Sequence, residues 1–270
     1  MEKILKKDIV FFDMDGTLTP PRRKFHWDLD APLRDLTQWC EVGIVTGSDY
    51  NYIIQQMGKF LKNSAASYHI HLLPCNGTKW FKPPVFHEKN HTLNYNISME
   101  HFLGSNSFQE LMKVLIKMQN EISNLGLLQL KGNFIDFRGS TINWCPIGRC
   151  SNEEDRKRFI EYDKREFFRL RYIERLKLHL KKYGLSEKIC IKIGGQTSFD
   201  IFPVGWDKTF AFKHFPNWNY WFVGDKCEGA GNDREIYDAC KSQSFKTTGP
   251  AATKDIIYEI IKELHEKNSD

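Results

Sequence analysis

A short apolar strand running straight into paired carboxylates constrains this chain more than any other feature. Val10-Phe11-Phe12 is followed by Asp13-Met14-Asp15-Gly16-Thr17-Leu18-Thr19. Residues 8–12 read as a buried strand, and the acids as the turn that leaves it. Side chains alternate along an extended chain, so positions i and i+2 lean to the same side. Asp13 and Asp15 can therefore meet one reacting centre, one attacking and the other moving a proton. Asp, Gly and Thr are also ordinary turn formers. Further chemical groups arriving at neighbouring strand ends would separate the two readings.

Strand and helix alternate through about residue 80. A helix is expected around 30–40, and a strand over 42–46 that ends in Thr46-Gly47-Ser48. A helix from about Asp49 to Leu61 has Asp49 as its cap and Tyr52, Ile53, Met57 and Phe60 on one face. A strand over His69–Leu73 is stopped by Pro74. This alternation predicts a parallel sheet with functional loops at the carboxyl ends of its strands.

Lys82-Pro83-Pro84 reads as a boundary, and the pattern then changes. An amphipathic helix over 107–124 precedes closely spaced strands at Leu127–Leu130, Phe134–Phe137 and Thr141–Trp144, separated by Gly132-Asn133 and Gly139. Short strands with tight turns predict antiparallel pairing. Ser151-Asn152-Glu153-Glu154 has capping-box form and opens one long basic helix to about Tyr183. Ile189–Ile193 and Thr197–Phe202 add two strands. The opening pattern returns with Trp218–Val223, which ends in Gly224-Asp225-Lys226, then a helix from about Asn232, a strand at 244–247 and a helix from Pro250 to about His265. The fold class is α/β. Residues 1–83 and 206–270 form a core with a parallel sheet, and 84–205 an inserted α+β cap with an antiparallel sheet.

Composition limits the function classes. At 41% hydrophobic over 270 residues the chain has ample material for cores. A net charge of +5 suits anionic ligands without arguing for nucleic acid. Seven cysteines without a CxxC indicate neither a disulfide framework nor a zinc site. No apolar run approaches membrane-spanning length, and the polar start does not read as a signal peptide. The expectation is a cytoplasmic protein with no membrane or nucleic-acid partner. The basic residues Arg165, Arg169, Arg171, Arg175, Lys177, Lys181 and Lys182 read as a solvated face opposite Phe159, Phe167, Leu170, Ile173 and Leu180. His87 and His91 read as surface, and Cys145 and Cys150 as buried thiols.

Four groups now fall at strand ends or at the return to the core: Asp13 with Asp15, Thr46, Lys208 in Gly205-Trp206-Asp207-Lys208, and Asp225. Clustered carboxylates repel one another unless a cation sits among them, and Mg²⁺ prefers oxygen ligands. A phosphoryl group beside such an ion can be attacked in line by a carboxylate, with Lys208 answering the developing charge. Thr46 and nearby backbone N–H groups would hold a phosphate oxygen at a helix start.

These residues resemble the haloacid dehalogenase superfamily of phosphotransferases. Phe12 to Arg22, Pro146-Ile147-Gly148-Arg149, Gly194 to Pro203, Gly205 to Lys208 and Gly231-Asn232-Asp233 look like the eukaryotic-type phosphomannomutases, over about residues 8–265. The resemblance implies Asp13 as a nucleophile that becomes a phosphoaspartate and Asp15 as general acid/base. It implies Mg²⁺ on Asp13, Asp225 and the Asp15 backbone carbonyl, with Thr46 and Lys208 holding the transferring phosphoryl. Arg22, Arg138, Arg149, Arg156, Ser198 and Asp200 are implied as substrate contacts. Arginine suits that task because its guanidinium fork matches phosphate oxygens. A hexose phosphate substrate, a hexose 1,6-bisphosphate activator and a homodimer through the cap are also implied. The chain departs from the family pattern at Glu235–Cys240, where an acid near Ala239 is missing, which speaks against a second structural cation. It departs again at Cys75-Asn76-Gly77, where Glu-Asn-Gly is usual.

The leading function is interconversion of mannose 6-phosphate and mannose 1-phosphate, which feeds GDP-mannose synthesis. A Mg-dependent sugar phosphatase is the alternative on the same core. A binding role without catalysis is opposed by the intact Asp13, Asp15, Lys208 and Asp225.

Overall fold

The computed structural model describes residues 7–126 and 128–269. It divides into two compact units. One runs to Asn96 and resumes at Trp206; the other is Ile97–Gly205.

The first unit begins β1 (Asp8–Phe12), α1 (Asp30–Leu36), β2 (Glu41–Val45), α2 (Tyr50–Asn63), β3 (Ile70–Leu73), β4 (Lys79–Lys82) and β5 (Thr92–Asn96). The inserted unit contains α3 (Met99–Leu103), α4 (Ser105–Asn124), β6 (Ile135–Phe137), β7 (Ile142–Trp144), α5 (Glu153–Glu166), α6 (Phe168–Lys181), β8 (Ile189–Gly194) and β9 (Ser198–Pro203). The first unit then resumes with a 3-10 helix at Lys208–His214, β10 (Asn219–Gly224), α7 (Arg234–Cys240), β11 (Ser244–Lys246) and α8 (Pro250–Ser269).

The core sheet has the order β11-β10-β1-β2-β3-β4-β5. β11 through β3 are parallel, while β4 and β5 join antiparallel. From Ile9 to Phe12 β1 is apolar and buried because both of its faces are covered. Val10 and Phe12 pack with Leu33, Met57, Phe60 and Ile260 from α1, α2 and α8. Ile9 and Phe11 point the other way, into Ala211, Phe215 and Ile236. Strand period 2 thus feeds two hydrophobic layers from one pentapeptide.

The inserted unit is organised on a four-stranded antiparallel sheet, β6-β7-β9-β8. Trp144 is fully buried, stacks on Phe199 at 4.7 Å between centroids, and donates its indole N–H to Gln119 Oε1 at 2.7 Å. A buried tryptophan needs such a partner for its one donor.

Several expectations change here. The inserted unit starts at Ile97 rather than at residue 84, because Lys79–Lys82 and Thr92–Asn96 pair as a hairpin and extend the core sheet. Pro83 and Pro84 therefore lie in the connection between two strands rather than between domains. Residues 128–130 form no strand, and Leu127 lies outside the described residues. The single helix expected to run to Tyr183 is two helices, broken at Phe167, whose φ of 50° is left-handed. The break rotates the second helix, so Phe167 and Leu170 are exposed, whereas Arg169, read as solvated, is buried. The capping box is Asn152 with Asp155, one residue later than expected. Cys150 is exposed.

His91 is buried, not on the surface, with Nε2 on the Ile70 carbonyl at 2.8 Å. Nearby, His71 accepts a hydrogen bond on Nδ1 from Trp80 Nε1 at 3.1 Å, so it is neutral. Burial, reinforced by His91 and Lys82, pushes its pKa down to about 3. An unfolded chain takes up this proton near pH 6.5 and the folded chain does not. His71 therefore costs stability as pH falls below 6.5, about 2 kcal/mol by pH 5. Compared by urea unfolding at pH 7 and pH 5, His71→Gln should gain about 2 kcal/mol on the wild type over that interval. An unchanged pH slope in that variant would assign the loss elsewhere.

Candidate active site

The site is built from strand order. β10, β1 and β2 are adjacent and parallel, so Asp225, Asp13 and Thr46 leave the same edge of the sheet side by side. Asp13 N–H donates to Val223 O at 2.9 Å, which ties the turn after β1 to β10. The turn then tightens on the Met14 carbonyl, which accepts from the N–H groups of Leu18 and Thr19. Gly16 sits at φ +90°, and a Cβ built there would fall 2.3 Å from Asp225 Oδ2. Only glycine meets both demands, a left-handed backbone and an acid at contact distance.

Lys208 opens the 3-10 helix and is 1% exposed. Its ammonium pairs with Asp13 Oδ1 and, at 2.5 Å, with Asp233 Oδ1. Asp233 is fully buried; its Oδ2 accepts from Lys226 N–H at 2.9 Å. Carboxylate oxygens of Asp13, Asp225 and Asp233 lie within 4.8 Å of one another. Three acids against one ammonium leave excess negative charge in a desolvated place. Burial, with Asp233 and Asp225 beside it, outweighs Lys208 and pushes the Asp13 carboxyl up to about 7. Burial raises Asp225 as well. For Lys208 burial works against the charged form, but Asp13 and Asp233 overcome it and hold the ammonium above the usual lysine value.

Asp225 Oδ1 is buried and has no hydrogen-bond partner. An orphaned carboxylate oxygen on an acid grouped with two more carboxylates fits a hard divalent cation, which would satisfy the oxygen and cancel the excess charge. The carboxylates that converge are Asp13, Asp225 and Asp233; the expected set was the Asp13 and Asp225 carboxylates with the Asp15 backbone carbonyl, and Asp233 was not in it. The Asp15 carboxylate is engaged elsewhere: its Oδ1 accepts from Tyr52 Oη at 3.1 Å and from Arg22 N–H at 3.0 Å. A part for Asp15 on an ion is left to its backbone carbonyl. Arg22 meets Asp15 through its main chain, at φ 60°, and its side chain is exposed. The Gly231-Asn232-Asp233 pattern by itself assigns no role to Asp233. Its context reads as a helix start, and only the fold brings it to Lys208. Thr46 is buried, and its Oγ1 accepts from Ser48 N–H at 3.2 Å.

The inserted unit gathers the other expected residues. Asn143 on β7 faces Asp200 on β9. Its Nδ2 donates to Asp200 Oδ1 at 2.7 Å and to Ser198 Oγ at 3.0 Å, while its Oδ1 accepts from Arg149 Nη1 at 2.7 Å. Asp136 accepts from Arg138 Nε at 3.2 Å and lies 3.7 Å from Arg149 Nε. Arg156 is buried, donating to Ser151 O, Thr197 Oγ1 and Arg149 O. It therefore braces the backbone that carries Arg149. Asn143, Asp136 and Arg169 were missed by sequence reasoning; strand pairing with Asp200 was the available signal for Asn143. Arg169 donates through Nε to Asp163 at 2.7 Å and through Nη1 to the carbonyls of Gly195 and Ser198, which fixes the turn before Ser198.

A mostly parallel core sheet interrupted by a separate α/β unit, with acids at adjacent strand ends, is a haloacid dehalogenase-type fold. Solved structures agree on the fold. ATP-bound IMP-nucleotidase of Plasmodium falciparum matches 95% of this chain and 60% of its own at a TM-score of 0.67 and 16% identity. A trehalose-6-phosphate phosphatase related protein matches 96% and 99% at a TM-score of 0.52 and 14% identity. The model of the eukaryotic phosphomannomutase family matches residues 29–263, and the chain belongs to that family. Phosphomannomutase 1 of Dictyostelium discoideum is 34% identical over 96% of this chain and 98% of its own length. A probable phosphomannomutase of Caenorhabditis elegans is 33% identical over 96% and 97%.

Proposed function

We propose that this protein interconverts mannose 6-phosphate and mannose 1-phosphate, and that the buried Asp13–Lys208–Asp233 cluster beside Asp225 is its phosphoryl-transfer centre. That cluster carries the reading, because a carboxylate kept against an ammonium and two further acids has no structural rationale as cheap as an apolar substitute. The nucleophile is Asp13. On a bound hexose 1,6-bisphosphate the Asp13 carboxylate attacks one phosphorus in line, the bond from that phosphorus to the sugar oxygen breaks, and Asp15 donates a proton to the oxygen, leaving a hexose monophosphate. In the other half-reaction a hexose monophosphate presents its free hydroxyl; Asp15 takes that proton, the oxygen attacks the phosphoaspartate, the bond from phosphorus to Asp13 breaks, and the bisphosphate forms again, to be attacked at its other phosphate. Lys208 and Thr46 hold the phosphoryl oxygens throughout. Mg²⁺, held by Asp13, Asp225 and Asp233, supplies charge neutralisation when bound. A hexose 1,6-bisphosphate primes Asp13, and the mannose 1-phosphate supports GDP-mannose synthesis in the cytoplasm.

The phosphate not being transferred is held by Arg149 and Arg138, with Ser198 and Asp200 on sugar hydroxyls and Arg156 bracing Arg149; Arg22 is a further substrate contact. A homodimer through the cap completes the proposal. No helix among the described residues is long and apolar enough to cross a membrane.

The test is a coupled assay with mannose 1-phosphate, hexose 1,6-bisphosphate and Mg²⁺, following mannose 6-phosphate and free phosphate together. Isomer without net phosphate is expected; phosphate without isomer would make the protein a phosphatase. Arg149→Gln should raise the KM for the hexose phosphate about 10- to 100-fold, the worth of a charged phosphate contact. Initial-rate kinetics decide, and an unchanged KM would remove Arg149 from the grip.

A further inference from the structure

The turn after β3 links the two groups proposed to hold the transferring phosphoryl. Asn76 N–H donates to the Thr46 carbonyl at 2.8 Å, and Cys75 N–H to the Ser48 carbonyl at 2.8 Å. The Thr46 loop is thus held from below through its main chain. Asn76 then reaches the other way: its Nδ2 donates to the Trp206 carbonyl at 3.1 Å, two residues before Lys208. The contact spans 130 positions of sequence and is buried. Two neighbours lock the same junction. His214 Nε2, at the far end of the Lys208 helix, donates to the Gly77 carbonyl at 2.7 Å. Gly77 lies so close to that helix that a Cβ would fall 2.9 Å from the Ala211 backbone.

We infer that Asn76 is a positioning residue that sets Lys208 relative to Thr46, acting through the Trp206 carbonyl on one side and the Thr46 carbonyl on the other. Few side chains can do this. Asn76 has φ 61° and ψ 27°, a left-handed backbone that asparagine tolerates far better than most residues. The amide also provides an N–H donor, which aspartate lacks at the same backbone angles. Lys208 and Thr46 come from chain segments with no covalent reason to keep a fixed spacing. Small displacements at a reacting centre cost rate steeply. The inference rests on the proposed phosphoryl-holding roles of Thr46 and Lys208.

Orthovanadate, a phosphoryl mimic, tests it in the presence of Mg²⁺ on the intact protein, by calorimetry, with melting temperatures recorded alongside. The variants are Asn76→Gly, which keeps the left-handed backbone and removes the amide, and Asn76→Asp, which keeps the shape and removes the donor. Asn76→Gly should lose only the few degrees that one hydrogen bond is worth, and Asn76→Asp more, because it turns a buried carboxylate toward the Trp206 carbonyl; both should bind vanadate about tenfold more weakly or worse. Wild-type affinity in either folded variant overturns the inference alone. No vanadate binding by the wild type would overturn the phosphoryl-holding reading, and the inference with it.

Discussion

Asp13→Asn should abolish phosphoryl transfer and make the protein more stable. The rate loss is expected on the order of 10⁴-fold or more, because an amide is no nucleophile here. The stability gain follows from the crowding of Asp13, Asp225 and Asp233. A carboxyl raised from 3.8 to about 7 is held in the folded protein against its preference. The sign runs opposite to a salt-bridged acid. Stability from this group is complete below pH 4 and is lost as pH rises through 7. The asparagine variant escapes that loss, so its advantage grows between pH 4 and 7 and is flat above, reaching at most about 4 kcal/mol. Denaturant melts of both proteins without added metal at pH 5 and pH 8 measure it. A less stable variant at pH 8 would mean that the Lys208 pair outweighs the crowding.

Lys208→Met is the complementary change and should be the most damaging single substitution in the core. It leaves Asp13 and Asp233 buried without the ammonium that both share. Losing one partner of a buried ion pair costs about 3–5 kcal/mol, and activity should fall to background. The damage lies in an uncompensated charge and not in the lysine stem, so Asp233→Asn added to Lys208→Met should restore much of the melting temperature. Equal instability of the single and double variants would separate Asp233 from Lys208 energetically.

Much of this was legible in the sequence, for a definite reason. β1, β2 and β10 are apolar runs that stop at Asp13, Thr46 and Asp225, so parallel packing places their ends together. The inserted unit announced itself through short strands around Gly139 and through the return of the opening pattern at Trp218. What escaped were relations that local patterns do not encode. Pro83-Pro84 looks alike between two domains and between two strands. Phe167 carries no composition signal, and the helical period continues across it, yet Asp163 captures both the main chain and the side chain of Arg169. Asp233 reads as the opening of α7, and Asn76 as half of a turn. Their work depends on partners 25 and 130 residues away.

The placement of β1 between β2 and β10 has a consequence for how the chain is born. β1 meets β2 almost at once, but its other edge waits for Asn219–Gly224. At 5–20 residues per second, that interval lasts roughly ten to forty seconds on the ribosome. Through it an apolar strand with unpaired backbone groups stands open, and the inserted unit, complete by Gly205, has time to fold first. Premature release would leave the open edge behind, so truncation products of this chain should aggregate through their first strand.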